Sequence, residues 1–416
     1  MKSWFRISEW WNSKIVALIG IAYCFAIQGD LSFGEFLPIL AFLFIWMVLS
    51  AALGYYINDL FDLKQDLEVQ KENHSKHHSL MQRVLFPVLF IAGILSAWFF
   101  LNGNNIVLVF ILLQLLLFFF YSIPFIRLKE KPIIGVVADA LYAHLFPGLI
   151  VLISIMGTGT KPMVFLFFCL WQTAIGIRNI LAHHLVDFNN DSNSGTVTSA
   201  TYYGKPRIKD VMNFIVSPIE LISFIILLAI LNFPLFWIIP FYIIYIIFAY
   251  NRELVFLKQN KTSWSFELQE NYNFIGGVLL NEFYEKWMPA VVLIILCFIN
   301  PFFIIISILH CILFFNTVVD FKKDYMIVKN IILSQMYWWF VGHFYTYFLH
   351  PVYYTFFGNV KHFIYWKIYA QVKDFLYWQV YGNMYHKFFR YWYYNWYGKL
   401  KHFLYWKIYK PLNKKN

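Results

Sequence analysis

Charge is what this chain has least of. Asp, Glu, Lys and Arg together supply 13% of its 416 residues, about half their share in an average soluble domain, which excludes a soluble globular fold. Cysteine is scarcer still. The four present, Cys24, Cys169, Cys297 and Cys311, all sit in apolar runs and form no C-x-x-C pair, so neither a disulfide framework nor a zinc site is expected. The opening stretch MKSWFRISEWWNSK has no short apolar core followed by a small-residue cleavage site. It reads as a basic, aromatic lead-in at the cytoplasmic interface rather than a removable signal.

Apolar residues make up 60% of the chain and aromatic residues 22%. Apolar runs near 15–29, 36–57, 84–101, 105–122, 133–153, 162–182, 213–231 and 233–250 are long enough for membrane helices. The loops 29–35, 102–105 and 232–234 carry no Lys or Arg, whereas Lys64, Lys71, Lys76, Arg83, Arg127, Lys129, Lys131, Lys205, Arg207 and Lys209 fall in the alternate set. The positive-inside rule puts that second set, and the N-terminus, in the cytoplasm. The run 287–319 is too long for one straight crossing, and Asn300-Pro301 breaks it near the middle. A hairpin there keeps Lys322 and Lys323 on the basic side and brings the total to about ten spans. The expected fold is an all-α polytopic membrane protein, in the cell (inner) membrane, with residues 1–320 as the membrane domain.

Residues 321–416 have a different composition. The pattern K-x-F-x-Y-W recurs at Lys361, Lys373, Lys387 and Lys401, spaced 12, 14 and 14 residues apart. Fourteen residues is close to four helical turns, so the last three copies share a helix face. Tyr and Trp suit the headgroup level and Lys suits anionic lipid. The segment reads as an aromatic, basic interfacial tail contacting membrane lipid, with a protein partner as the alternative occupant. The net charge of +11 is thereby assigned to lipid and an anionic substrate, and no nucleic acid is expected.

Against so few charges, two acidic clusters stand out. YYINDLFDLKQD places Asp59, Asp62 and Asp66 at i, i+3 and i+7, one helix face, with Asn58 beside them. DFNND places Asp187 and Asp191 at i and i+4 after the sixth span. Both clusters fall at the cytoplasmic ends of even-numbered spans, so two helices running the same way can bring them face to face. Five carboxylates in a low-dielectric vestibule repel one another, and bound divalent cations relieve that repulsion. Asp, Asn and water oxygens suit Mg2+ together with substrate phosphate. Arg127, Lys129 and Lys131 in YSIPFIRLKEKP, and Arg178, lie on the same side, and cations beside metal-holding acids describe a diphosphate site.

The order N-D-x-x-D-x-x-x-D (Asn58, Asp59, Asp62, Asp66) then D-x-x-x-D (Asp187, Asp191) resembles the UbiA superfamily of intramembrane prenyltransferases. Tyr121, Pro124 and Arg127 in YSIPFIR resemble that family after the fourth span, and the likeness runs over roughly residues 10–320. It implies a UbiA-like bundle of about nine helices around a central cavity, and Mg2+-dependent transfer of an isoprenoid from a polyprenyl diphosphate to a small acceptor. Carried across, Asp59, Asp62, Asp187 and Asp191 bind Mg2+ bridging the diphosphate, Asn58 and Asp66 support them, and Asp62 and Asp187 are central to catalysis. Arg127, Lys129 and Tyr121 contact phosphate oxygens, with Arg178 as a further candidate. His183 and His184, unusual company for the second motif, are candidates for acceptor binding.

Two other functions fit parts of the pattern. The same residues could serve transfer of a sugar such as phosphoribose from its diphosphate donor to a polyprenyl phosphate. A cation or metabolite transporter is the reading from another class, but transporters place ionisable groups near the midplane, whereas these acids sit at span ends.

Overall fold

The computed structural model of the chain describes residues 5–68, 73–100, 104–246, 249, 279–320, 370–375, 399 and 401. It divides into two compact units, Met1–Phe321 and Lys322–Asn416. In the second unit the described residues include one short helix, Ala370–Phe375. Most of the aromatic repeat, including its copies at 361 and 387, lies outside the described residues, as does most of the segment 247–278.

The first unit is helical throughout its described residues. Helix α1 runs Ile7–Gln28, α2 Phe33–Glu68, α3 Leu80–Phe100 and α4 Asn105–Ser122. Helix α5 joins Ile134–Ala140, Leu141–Leu145 and Phe146–Met156, and α6 is Pro162–Val186. Two short helices follow, α7 (Phe188–Ser194) and α8 (Ser199–Tyr203), then α9 (Lys205–Ile230) and α10 (Phe233–Ile246). Helix α11 joins Leu279–Glu282, Phe283–Trp287 and Met288–Ile299, and α12 is Ile304–Leu313. Among the described residues, seven helices, α1 to α6 and α9, are long and apolar enough to cross a membrane.

Burial orders these helices. In α1 every residue from Ile19 to Ile27 is buried, which puts this helix inside the bundle, packed on α5 and α11. Helix α4 turns Val109, Leu112 and Leu116 outward, a face suited to lipid. Helix α6 packs along both α5 and α9. The α5–α6 crossing needs a residue without a side chain: a Cβ on Gly176 would stand 2.6 Å from Ala140 Cα. Close approach through small residues is how helices associate where lipid supplies no hydrophobic drive.

The first acidic motif lies on a helix as its spacing predicts, forming the last turns of α2 itself. At 36 residues that helix is about 54 Å long, well beyond a hydrocarbon core of about 30 Å, so its final turns carry the acids out of the apolar zone. The second motif is bent. Asp187 closes α6 and Asp191 sits in α7, although the Asp191 N–H still donates to the Asp187 carbonyl at 2.9 Å. The run after 287 doubles back at Asn300-Pro301: Cys297 Sγ lies 3.3 Å from Ser307 Oγ, and Lys286 Nζ lies 3.6 Å from Asp320.

Among the described residues four helices contain a π turn: Trp11–Ile15 in α1, Leu141–Leu145 in α5, Met212–Val216 in α9 and Phe283–Trp287 in α11. Such turns insert one residue and concentrate at functional sites. Here they carry Lys14, Tyr142 and His144, Asn213, and Tyr284.

The α5–α6 contact gives a direct test. Gly176→Ala should cost about 1–3 kcal/mol of stability by overpacking, read as a lower unfolding temperature. Gly34→Ala, where a Cβ meets nothing within 4 Å, should not lower it. Equal behaviour of the two variants would contradict the packing described.

Candidate active site

The end of α2 is a set of oxygens held by the chain's own cations. Lys129 Nζ donates to both carboxylate oxygens of Asp62 and, at 3.3 Å, to Asn58 Oδ1. Arg127 Nη2 reaches Asp62 Oδ1 at 3.2 Å, and Ser122 Oγ donates to Asn58 Oδ1 at 3.2 Å. Asp59, one turn earlier, takes Arg6 Nη1 at 3.0 Å. Asp66 accepts from Asn73 Nδ2 at 2.8 Å, and the same nitrogen donates to the Asp59 carbonyl at 2.8 Å. Asp62 and Lys129 are only 13% and 16% exposed. Burial pulls the Lys129 ammonium below its ordinary pKa, with Asp62 opposing the shift. For Arg6 burial likewise works against the charge, but Glu9 and Asp59 outweigh it and hold the guanidinium above its usual value.

Arg6 and Arg127 are built alike. Each precedes a short helical turn in left-handed backbone geometry, φ 49° and ψ 38° for Arg6, φ 41° and ψ 58° for Arg127. Each binds a glutamate three residues on, Glu9 and Glu130, and each aims a terminal nitrogen at one acid of the first motif. A left-handed residue other than glycine costs roughly 1–2 kcal/mol. The paired ion contacts offset that strain, which points to guanidiniums held in place for charge. Arg6 was not among the residues expected at the site. The signal available was the recurrence of R-x-x-E at 6–9 and 127–130.

The remaining expected residues divide. Tyr121 lies beside the clamp, within electrostatic reach of both Asp62 and Asp191, one acid from each motif. Asp187 pairs with His183 at 3.5 Å, and His183 is 65% exposed. His184 is buried, and its Nδ1 has no hydrogen-bond partner among the described residues. The two histidines therefore face different surroundings rather than forming one acceptor pocket.

Arg178 must be reassigned. It was expected at the diphosphate, but it is fully buried, with Nε and Nη2 on the Glu220 carboxylate at 2.6 and 3.0 Å. Asn281 accepts from it at 2.6 Å, and Tyr284 Oη donates to Glu220 at 3.0 Å. A buried ion pair persists only when its other hydrogen-bonding groups are satisfied. This one is, and it ties α6, α9 and α11 together.

The donor set at the end of α2 suits a hard divalent cation. Asn58 and Asp62 oxygens converge on one point, and the Lys129 ammonium marks it as a place where positive charge is stabilised. Among the described residues no three His, Cys, Asp or Glu side chains converge on a metal position. Mg2+ held by a few carboxylates commonly takes its other oxygens from phosphate and water.

Comparison with known proteins follows the same line. The sequence profile of the UbiA prenyltransferase family matches residues 15–271. A solved UbiA homologue from Archaeoglobus fulgidus bound to GPP and Mg2+ superposes with a TM-score of 0.51 at 17% identity, covering 71% of this chain and 98% of that one. A second structure of a UbiA homologue from that organism gives 0.50 at 18% identity, with the same coverage. No curated protein sequence matches the chain.

If the Lys129 ammonium stands where a metal can, the two should substitute for each other. Lys129→Ala should lower the unfolding temperature in divalent-free buffer, and millimolar Mg2+ should raise it by more in the variant than in the parent. Equal Mg2+ responses would count against the stand-in.

Proposed function

The chain belongs to the UbiA prenyltransferase family, and from that premise we propose that it moves a prenyl group from a polyprenyl diphosphate to a small acceptor, with Mg2+, at the cytoplasmic face of the cell membrane. The observation that carries this reading is the clamp on Asp62. Two cations, Lys129 and Arg127, meet one carboxylate and one amide oxygen there, at the mouth of an apolar bundle. Such a site suits a ligand that is itself anionic and metal-bound. The GPP and Mg2+ bound to the Archaeoglobus fulgidus homologue support the same ligand chemistry.

In this reading Lys129 and Arg127 release part of their hold on Asp62 and turn to the diphosphate oxygens, where their charge favours departure of the leaving group. Asn58, Asp59, Asp62 and Asp66, with Asp187 and Asp191, would hold Mg2+, which would supply neutralisation of charge on that diphosphate. Tyr121 lines the passage from the clamp into the bundle. The Tyr55, Tyr121 and Tyr142 rings offer negative faces to a developing allylic cation. Enclosure by the helices keeps water from competing for it. Residues 1–320 form the transferase domain in this reading.

Asp62→Ala in full-length protein should lower Mg2+-dependent diphosphate release from geranyl diphosphate by about 100-fold or more, the scale on which loss of a principal charge-stabilising contact acts. Unchanged release would contradict the assignment of this site.

A further inference from the structure

Deeper than the clamp, a second group of polar side chains faces inward from five helices, and the reaction described above gives no role to its Lys14, Asp139, His144 or Asn179. Lys14 comes from α1, Tyr55 from α2, Tyr121 from α4, Asp139, Tyr142 and His144 from α5, and Asn179 from α6. Ionisable residues inside a membrane bundle are costly and mark functional positions. Two of the four π turns present members of this group, Lys14 in one, Tyr142 and His144 in the other. All seven side chains keep partial exposure, which sets them apart from the sealed core.

The contacts order this group. The Tyr55 ring lies beneath two cations, Arg6 at 5.0 Å and Lys14 at 5.3 Å, so it separates the clamp from the deeper group. Tyr121 touches Tyr142 with ring centroids 5.1 Å apart. Tyr142 Oη donates to Asp139 Oδ1 at 2.6 Å, and this bond holds the carboxylate through one oxygen. Among the described residues Asp139 Oδ2 has no hydrogen-bond donor, so it is left as an acceptor. Lys14 and His183 lie within electrostatic reach of it. Farther in, Asn179 Nδ2 is 3.3 Å from His144 Nε2.

A carboxylate fixed through one oxygen and open at the other accepts a proton from a donor that approaches the open side. We propose that Asp139 is a catalytic residue of the transfer, taking the proton from an acceptor hydroxyl, and that Tyr142 is the residue that positions it. The assignment rests on the prenyl-transfer reading of the site. The acceptor O–H gives its proton to Asp139 Oδ2, and the freed oxygen pair forms the bond to C1 of the prenyl chain. The bond between C1 and the diphosphate oxygen breaks, and its electron pair leaves with the diphosphate. A prenyl ether, free diphosphate and protonated Asp139 result, and no oxidant or reductant is required.

The test uses two nucleophiles that differ in needing a base. Full-length protein in lipid nanodiscs is given geranyl diphosphate and Mg2+ with either phenol, which must lose a proton, or azide, which has none to lose. Asp139→Asn should lower geranyl transfer to phenol by about 100-fold or more, the range of a positioned general base. Transfer to azide and the calorimetric affinity for geranyl diphosphate should stay close to the parent's. Tyr142→Phe should lower kcat with phenol without raising KM for geranyl diphosphate, and Asp139→Glu should recover part of the phenol reaction. An equal fall with both nucleophiles, an Asp139→Asn variant as active as the parent, or a parent that uses azide but not phenol would each overturn the assignment. A parent that makes no geranyl product with either nucleophile would instead bring down the transferase reading, and this assignment with it.

Discussion

The Lys129 ammonium seated between Asp62 and Asn58 is the constraint around which the rest of this site is arranged. The end of α2 presents three carboxylates within two turns, and a low-dielectric vestibule would not tolerate them uncompensated. The chain meets that cost by bringing in cations from distant positions: Lys129 and Arg127 from the segment after α4, and Arg6 from before α1. Asp59 and Asp62 are thereby paired with cations, and Asp66 accepts a hydrogen bond from Asn73. A ligand that brings its own positive and negative groups, a metal diphosphate, can exchange into such a network without leaving a charge unpaired.

The bundle separates two kinds of buried charge. Arg178 and Glu220 pair with each other and are hydrogen-bonded to Asn179, Asn281 and Tyr284, so their role is to fix three helices. The Lys14, Asp139 and Tyr142 group keeps open valences and partial exposure. The same residue types thus serve architecture in one place and chemistry in another, and the decisive difference is whether the hydrogen-bonding capacity is used up. The π turns act on the same distinction: by adding one residue to a turn they re-aim a polar side chain without interrupting the helix that membrane burial demands.

Much of this was legible in the sequence. The spacing of Asn58, Asp59, Asp62 and Asp66 shows as a helix face because acids are so rare in this chain, and the basic loop after the fourth span points to Arg127 and Lys129 as their partners. The turn at Asn300-Pro301 is readable from length and a helix breaker. Other features were hidden for physical reasons. Arg6 sits 53 residues from Asp59, and nothing local in an aromatic lead-in announces that pairing. Glu220 lies inside an apolar run, so Arg178 reads as a cation awaiting an anion rather than one already matched 42 residues away. The bend between Asp187 and Asp191 and the four π turns alter hydrophobic periodicity by a single residue. In helices that are apolar on nearly every side, that leaves no trace.

The central claim is that metal and diphosphate complete each other's coordination at the acids that end α2. Electron paramagnetic resonance of Mn2+ titrated into the full-length protein in nanodiscs tests it most directly. The account predicts weak Mn2+ binding alone and binding about tenfold or more tighter, a coupling of about 1.4 kcal/mol or more, once inorganic diphosphate is added. Tight Mn2+ binding indifferent to diphosphate would contradict it.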